Sequence, residues 1–162
     1  MKKVAYFLLF FLLVSLTKVD RVEKKCNKIL AKTFKEVSLK KSKLTISSKN
    51  KDEKWHEVSD KISKKKLGYL ETTSAIGRFD KFDFMVLFNP DKSIKKVRVL
   101  IYREDHGGEI GNKRWLRQFE GKTLKDAKTL SRQINGISGA TMSCNAITSE
   151  IKKSLITIQK VK

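Results

Sequence analysis

The hydrophobic pattern changes period along the chain, and each change marks an element. Val22, Cys26, Ile29, Leu30, Phe34 and Val37 recur at spacings of three and four with lysines between them. That is the stripe of an amphipathic helix over about 21–37, of the kind that covers a sheet. Leu39 to Ser48 alternates loosely and predicts a short strand, Lys49 to Lys54 reads as a loop or helix start, and Trp55, Val58 and Ile62 predict one or two helical turns. Leu67–Ala75, Lys81–Phe88 and Ile94–Tyr102 then read as strands, the last two joined by Asn89-Pro90-Asp91-Lys92-Ser93. In that joint Pro fixes φ while Asn and Asp favour turns, so a hairpin is expected. Phe82, Phe84, Val86 and Phe88 share one strand face, and Val97, Val99 and Ile101 share a face of the returning strand. Alternating Phe of this kind is core packing, not a stacking platform for bases.

Beyond the sheet comes a polar loop, Arg103 to Glu109, then a helical stretch around Asn112 to Phe119 and a polar connection to Arg132. Ala146, Ile147, Ile151, Leu155 and Ile158 place a final helix that starts inside or just after Ser138-Gly139-Ala140-Thr141. Without regular β-α alternation, the expected fold is α+β: a small antiparallel sheet packed by an N-terminal and a C-terminal helix. The expected organisation is a leader over 1–17, a Lys-rich helical region over 18–66 and one domain over 67–162.

Lys2 and Lys3 precede an uncharged, almost wholly apolar run from Val4 to Leu16. At 13 residues it is short of the roughly 20 that span a bilayer, and it predicts a signal peptide, with an uncleaved anchor as the alternative. The expected location is therefore outside the cytoplasm, periplasmic or anchored to the outer face of the cytoplasmic membrane. The chain carries 37 basic and 17 acidic residues, a net charge of +20. Of the basic residues 30 are Lys and 7 Arg, which argues against nucleic acid, where the guanidinium fork is favoured. No nucleic-acid partner is expected; a Lys-rich surface instead suits an acidic protein partner, or anionic lipid or polymer.

Hydrolytic side-chain chemistry finds no support, since there is no Gly-x-Ser-x-Gly elbow and the two His, His56 and His106, stand apart. Glu104, Asp105, His106 and Glu109 contain one His among carboxylates, so no metal site is expected there. Cys26 and Cys144 allow one disulfide, but Cys26 on its helical stripe reads better as a small buried hydrophobe. Trp115, beside Leu116 and Phe119, reads as core in preference to a stacking ring. The informative stretch is Asn135-Gly136-Ile137-Ser138-Gly139-Ala140-Thr141-Met142-Ser143, a glycine-containing turn that runs straight into a helix. Unpaired N–H groups at a positive helix end, flanked by hydroxyls, suit a phosphate, although Ser and Thr also cap ordinary helices.

Ser138-Gly139-Ala140-Thr141, preceded by Asn135-Gly136-Ile137, resembles the signature of the FMN-binding domain family. That family includes flavin-carrying subunits of the sodium-translocating NADH:quinone oxidoreductase and of the Rnf complex. The resemblance extends more weakly from the strands of 81–102 through the Gly107-Gly108-Glu109 loop to the segment Trp115 to Gly121. It implies FMN held by its phosphate, in many members as a phosphoester on the residue that is Thr141 here, attached by a separate flavin transferase. It further implies that Ser138, Gly139 and Ala140 shape the phosphate turn and that Gly107, Gly108 and Glu109 lie beside the flavin. Asn135 stands where the transferase-recognised pattern commonly has Asp, which leaves both covalent and non-covalent FMN open. The function so implied is an exported flavoprotein that passes electrons between a membrane-linked or soluble donor and an extracytoplasmic acceptor. Competing readings are a non-redox basic module for an anionic surface or polymer, and a flavin reductase; the chain has no Gly-x-Gly-x-x-Gly fingerprint for a nicotinamide cofactor.

Overall fold

The computed structural model describes residues 21–46 and 53–161, and the expected leader over 1–17 lies outside them, as does most of the polar 49–54 segment. The chain forms two compact units that divide between Glu36 and Val37. In the first, residues 21–33 form helix α1. It stops short of the expected end because Glu36 takes a left-handed φ of 61°. Among the described residues no helix is long and apolar enough to cross a membrane.

The second unit is an α+β domain built on a five-stranded antiparallel meander, β1 Leu39–Leu44, β2 Lys54–Asp60, β3 Lys66–Ile76, β4 Lys81–Phe88 and β5 Ile94–Ile101. The predicted hairpin joins β4 and β5, where the Asn89 N–H donates to the Ser93 carbonyl at 2.9 Å. Short helices α2 Lys113–Leu116 and α3 Leu130–Gln133 follow, then the long helix α4 Thr141–Thr157. The apolar stripe of α4 (Cys144, Ile147, Ile151 and Leu155) shares one core with Phe82, Phe84, Val86 and Phe88 of β4 and with Trp115, Leu116 and Phe119.

Two expectations are corrected. Trp55 and Val58 lie on β2 and not on helical turns. Their three-residue spacing imitates a helix because both faces of this strand are buried: Trp55 belongs to the core with α4, and Val58, also fully buried, points the other way. Ile62, the third member of that pattern, is 81% exposed in the turn after the strand. Within the region expected to be helical over 18–66, residues 21–33 are helical, whereas Leu39–Leu44 and Lys54–Asp60 are strands, β2 pairing to β3 from Lys54↔Thr72 to Ser59↔Lys66, in the compact unit that starts at Val37.

Glu71 is an exception inside this core. It pairs with Trp55 on one side and Val86 on the other, so the pleat turns it toward α4, and it is 1% exposed. One carboxyl oxygen, Oε2, has no hydrogen-bond partner. Burial pushes its pKa well above the usual glutamate range, the nearby Glu53 and Glu150 push the same way, and a hydrogen bond with Ser154 opposes them only in part. The folded protein thus prefers the protonated form, whose stabilising preference is fully present below the unfolded-state pKa and is lost as pH rises through the raised one. For a single proton the limiting slope is about 1.4 kcal/mol per pH unit. Glu71→Gln, which keeps the shape and removes the titration, should raise Tm at about pH 9 and leave it nearly unchanged at about pH 4. Thermal unfolding followed by circular dichroism across that range checks the sign.

Candidate functional site

Antiparallel pairing puts Ile76, Lys81 and Ile101 at one end of the sheet, and the chain's most constrained loops meet there. Tyr102 follows β5 directly and packs its ring on Phe82, with centroids 5.5 Å apart. Its hydroxyl donates to the His106 carbonyl at 2.7 Å and lies 3.1 Å from Ser143 Oγ on α4. Burial pushes the Tyr102 pKa up, so the phenol stays protonated and able to donate at neutral pH. The loop it holds makes a tight reversal at Gly107, with φ of 83°, where a Cβ would stand 2.7 Å from the Tyr102 hydroxyl.

The β3–β4 connection, residues 77–80, is fastened to the same loop. Glu104 Oε1 accepts from the backbone N–H groups of Phe79 at 2.8 Å and Asp80 at 3.0 Å. Consecutive amides around a carboxylate form an anion nest, and they hold Glu104 below the usual carboxylate range. Gly77 permits this approach, because a Cβ there would lie 2.3 Å from Glu104 Oε1 and 3.1 Å from Ser143 Oγ. Arg103 donates to the Lys81 carbonyl at 2.7 Å and forms an ion pair with Asp83.

The third wall is the start of α4. The Ala140 N–H donates to the Ile137 carbonyl at 3.1 Å and closes a turn, and Ala140 occupies the N-cap position with no side-chain hydrogen bond to the helix. The first-turn amides therefore lack the hydroxyl cap that the serines and threonines of this stretch could have supplied, and the positive end of the helix dipole is left for another acceptor. Ser143 Oγ is turned to Tyr102, while Thr141 is exposed.

These three walls enclose a cavity of about 410 Å³, within the range of roughly 300–1,000 Å³ typical of small-molecule sites. Of the residues expected in the site, Gly107, Gly139, Ala140 and Thr141 line it. Asn135 and Glu109 instead line a second cavity of about 500 Å³ with Arg114, Trp115 and Gln118. Ser138 lies in the turn between them, and a Cβ at Gly108 would meet the Tyr102 ring only at ordinary contact distance. The sequence offered Ser143 as a phosphate hydroxyl and Tyr102-Arg103-Glu104 only as part of the family resemblance; it gave no sign that Ser143 is turned to Tyr102, that Glu104 binds backbone amides, or that residues 77–80 form a wall. The Gly77 and Gly107 positions were the available signals, since glycines flanking acidic or aromatic residues mark close approach.

Other expectations resolve locally. Trp115 is core, edge-on to Phe119 at 5.5 Å, and its indole N–H donates to the Asn135 carbonyl at 2.6 Å. Cys26 and Cys144 are both buried and neither is in a disulfide, and burial pushes the Cys144 pKa up where the helix dipole alone would have lowered it. Gly107→Ala should destabilise the domain by at least about 1–2 kcal/mol, the cost of a left-handed non-glycine residue, with the clash against Tyr102 added. Chemical denaturation of the variant, with Gly136→Ala as a control at a glycine that faces open space, checks this.

The fit to a phosphorylated planar ligand is chemical as well as spatial: uncapped helix amides and a threonine hydroxyl for the phosphate, two arginines and an exposed Phe79 on the opposite wall. Residues 77–156 match the family model of the FMN-binding domain, a span that opens at Gly77 and contains all three walls. No curated protein matches the chain. The chain thus carries, over residues 77–156, a domain of the FMN-binding family, and is a flavoprotein whose cofactor is FMN.

Proposed function

We propose that this is an exported electron carrier, in which FMN is held through its phosphate at the start of α4 and linked as a phosphoester to Thr141. The observation that carries this reading is the exposed Thr141 at the uncapped helix start, on the wall of the cavity. When bound, FMN supplies the redox chemistry, and the protein supplies binding, orientation and electrostatics. The first-turn N–H groups of α4 would donate to the phosphate oxygens, and Gly139, with φ of 81°, would let the backbone approach them closely. Attachment from a flavin dinucleotide donor would form a bond from Thr141 Oγ1 to the flavin-side phosphorus and break the pyrophosphate P–O bond, the nucleoside monophosphate leaving with the hydroxyl proton. The protein then gains the mass of FMN less one water.

A flavin transferase reading this segment would meet it in a fixed shape. The Asn135 N–H donates to Gln118 Oε1 at 2.8 Å and its carbonyl accepts from Trp115, while the residue itself is exposed. The periplasmic face, or the outer face of the cytoplasmic membrane, is the proposed location, on the strength of the apolar run behind Lys2 and Lys3. With residues 1–17 removed, 35 basic and 17 acidic residues remain, a net of +18, which suits acidic redox partners and an association that weakens with salt.

Intact mass and visible absorbance of the chain produced with a flavin transferase test the linkage. The expected product is yellow, heavier by one FMN less water, and retains its colour on denaturation; Thr141→Ala should abolish the mass increase. Colour that washes out of the denatured parent protein would contradict the phosphoester.

A further inference from the structure

We propose that the tip of the β3–β4 hairpin, Arg78 and Phe79, covers the isoalloxazine of bound FMN. Phe79 lies against the ring system, and Arg78 compensates the negative charge that the ring gains on reduction. This rests on FMN occupying the 410 Å³ cavity with its phosphate at α4.

Three observations converge on the tip. A single exposed apolar side chain is ordinary, but Phe79 is 80% exposed on a backbone held firmly in place. Its N–H and that of Asp80 are bound to Glu104, and the turn is closed by the Gly77 N–H donating to the Asp80 carbonyl at 2.9 Å. The tip is thus a rigid presenter of an aromatic ring on a cavity wall. Second, among the described residues the hairpin tip and the Arg103–Gly107 loop face a ligand anchored at Thr141 across the cavity, and Phe79 is the large apolar side chain on those two walls. Third, the charges on that side are unevenly committed. Arg103 is engaged by Asp83 and the Lys81 carbonyl, whereas the Arg78 guanidinium rests 4.9 Å from the centroid of the Phe79 ring. A guanidinium stacked on the aromatic that meets the flavin is placed to respond to flavin charge.

Two electrons from a low-potential reductant such as dithionite and one proton from solvent add one net negative charge to the ring system. A cation nearby favours that state, so its removal makes the potential more negative. The test uses the full chain loaded with FMN, its flavin content measured by absorbance in every variant. Arg78→Gln should disfavour reduction about tenfold, a shift of about 30 mV for a two-electron couple. Arg78→Lys should restore most of the difference, and Arg132→Gln, a matched loss of charge on exposed α3, should leave the potential unchanged. Phe79→Ala should increase quenching of flavin fluorescence by iodide. Equal FMN content with unchanged potential in Arg78→Gln and unchanged iodide access in Phe79→Ala would overturn the hairpin assignment and leave FMN binding standing. Absence of FMN from the unsubstituted protein would overturn both.

Discussion

The site depends on one phenol. The Tyr102 hydroxyl donates to the His106 carbonyl and lies within hydrogen-bond distance of Ser143, so a single atom ties the loop after β5 to the first turn of α4. A partly buried hydroxyl without partners would be costly, and the two it has come from segments 4 and 41 residues away in the chain. Gly107 must lack a Cβ because the hydroxyl occupies that space, and Gly77 must lack one because Glu104 and Ser143 do. The loop, the hairpin tip and the helix start are therefore positioned by mutual exclusion as much as by attraction.

The sheet brings them to the same place. Antiparallel pairing returns β3, β4 and β5 so that one end of the meander carries the 77–80 connection and the exit of β5. The apolar stripe of α4 buries the face formed by Phe82, Phe84, Val86 and Phe88. Burial of four large side chains against a complementary helix, each contributing about 1.5–3 kcal/mol, is the term that fixes where α4 begins. The polar turn at its start gains its position from the core and its chemistry from the amides that the core leaves uncapped.

Much of this was legible in the sequence. Alternation of Phe along Lys81–Phe88 and the Asn-Pro-Asp turn gave a strand and a hairpin with matching ends, and the three- and four-residue spacing after Ala146 gave the last helix. The Ser-Gly-Ala-Thr turn located one wall of the cavity. Two features were hidden for physical reasons. Strand β2 is buried on both faces, so its apolar residues lose the period of two that identifies a half-buried strand, and Trp55 and Val58 imitate a helix. The other walls depend on pairings between distant segments: Glu104 with the amides of Phe79 and Asp80, and Tyr102 with Ser143. A carboxylate read as a loop charge or metal candidate carries no local sign that its partner is a backbone 25 residues earlier. Asn135 lies near the turn in sequence and Glu109 beside the Gly107–Gly108 pair, yet both line the other cavity in space.

The central claim is that FMN occupies the space between the hairpin tip, the loop held by Tyr102 and the start of α4. Amide hydrogen exchange, compared between FMN-loaded protein and the same chain produced without flavin, reads this directly because the first-turn N–H groups of α4 lack an intrahelical acceptor. The account predicts slowed exchange at Thr141, Met142 and Ser143 and in 77–80 and 103–107, with 112–118 and Asn135 unchanged. Protection confined to 112–118 and Asn135, around the second cavity, would contradict it.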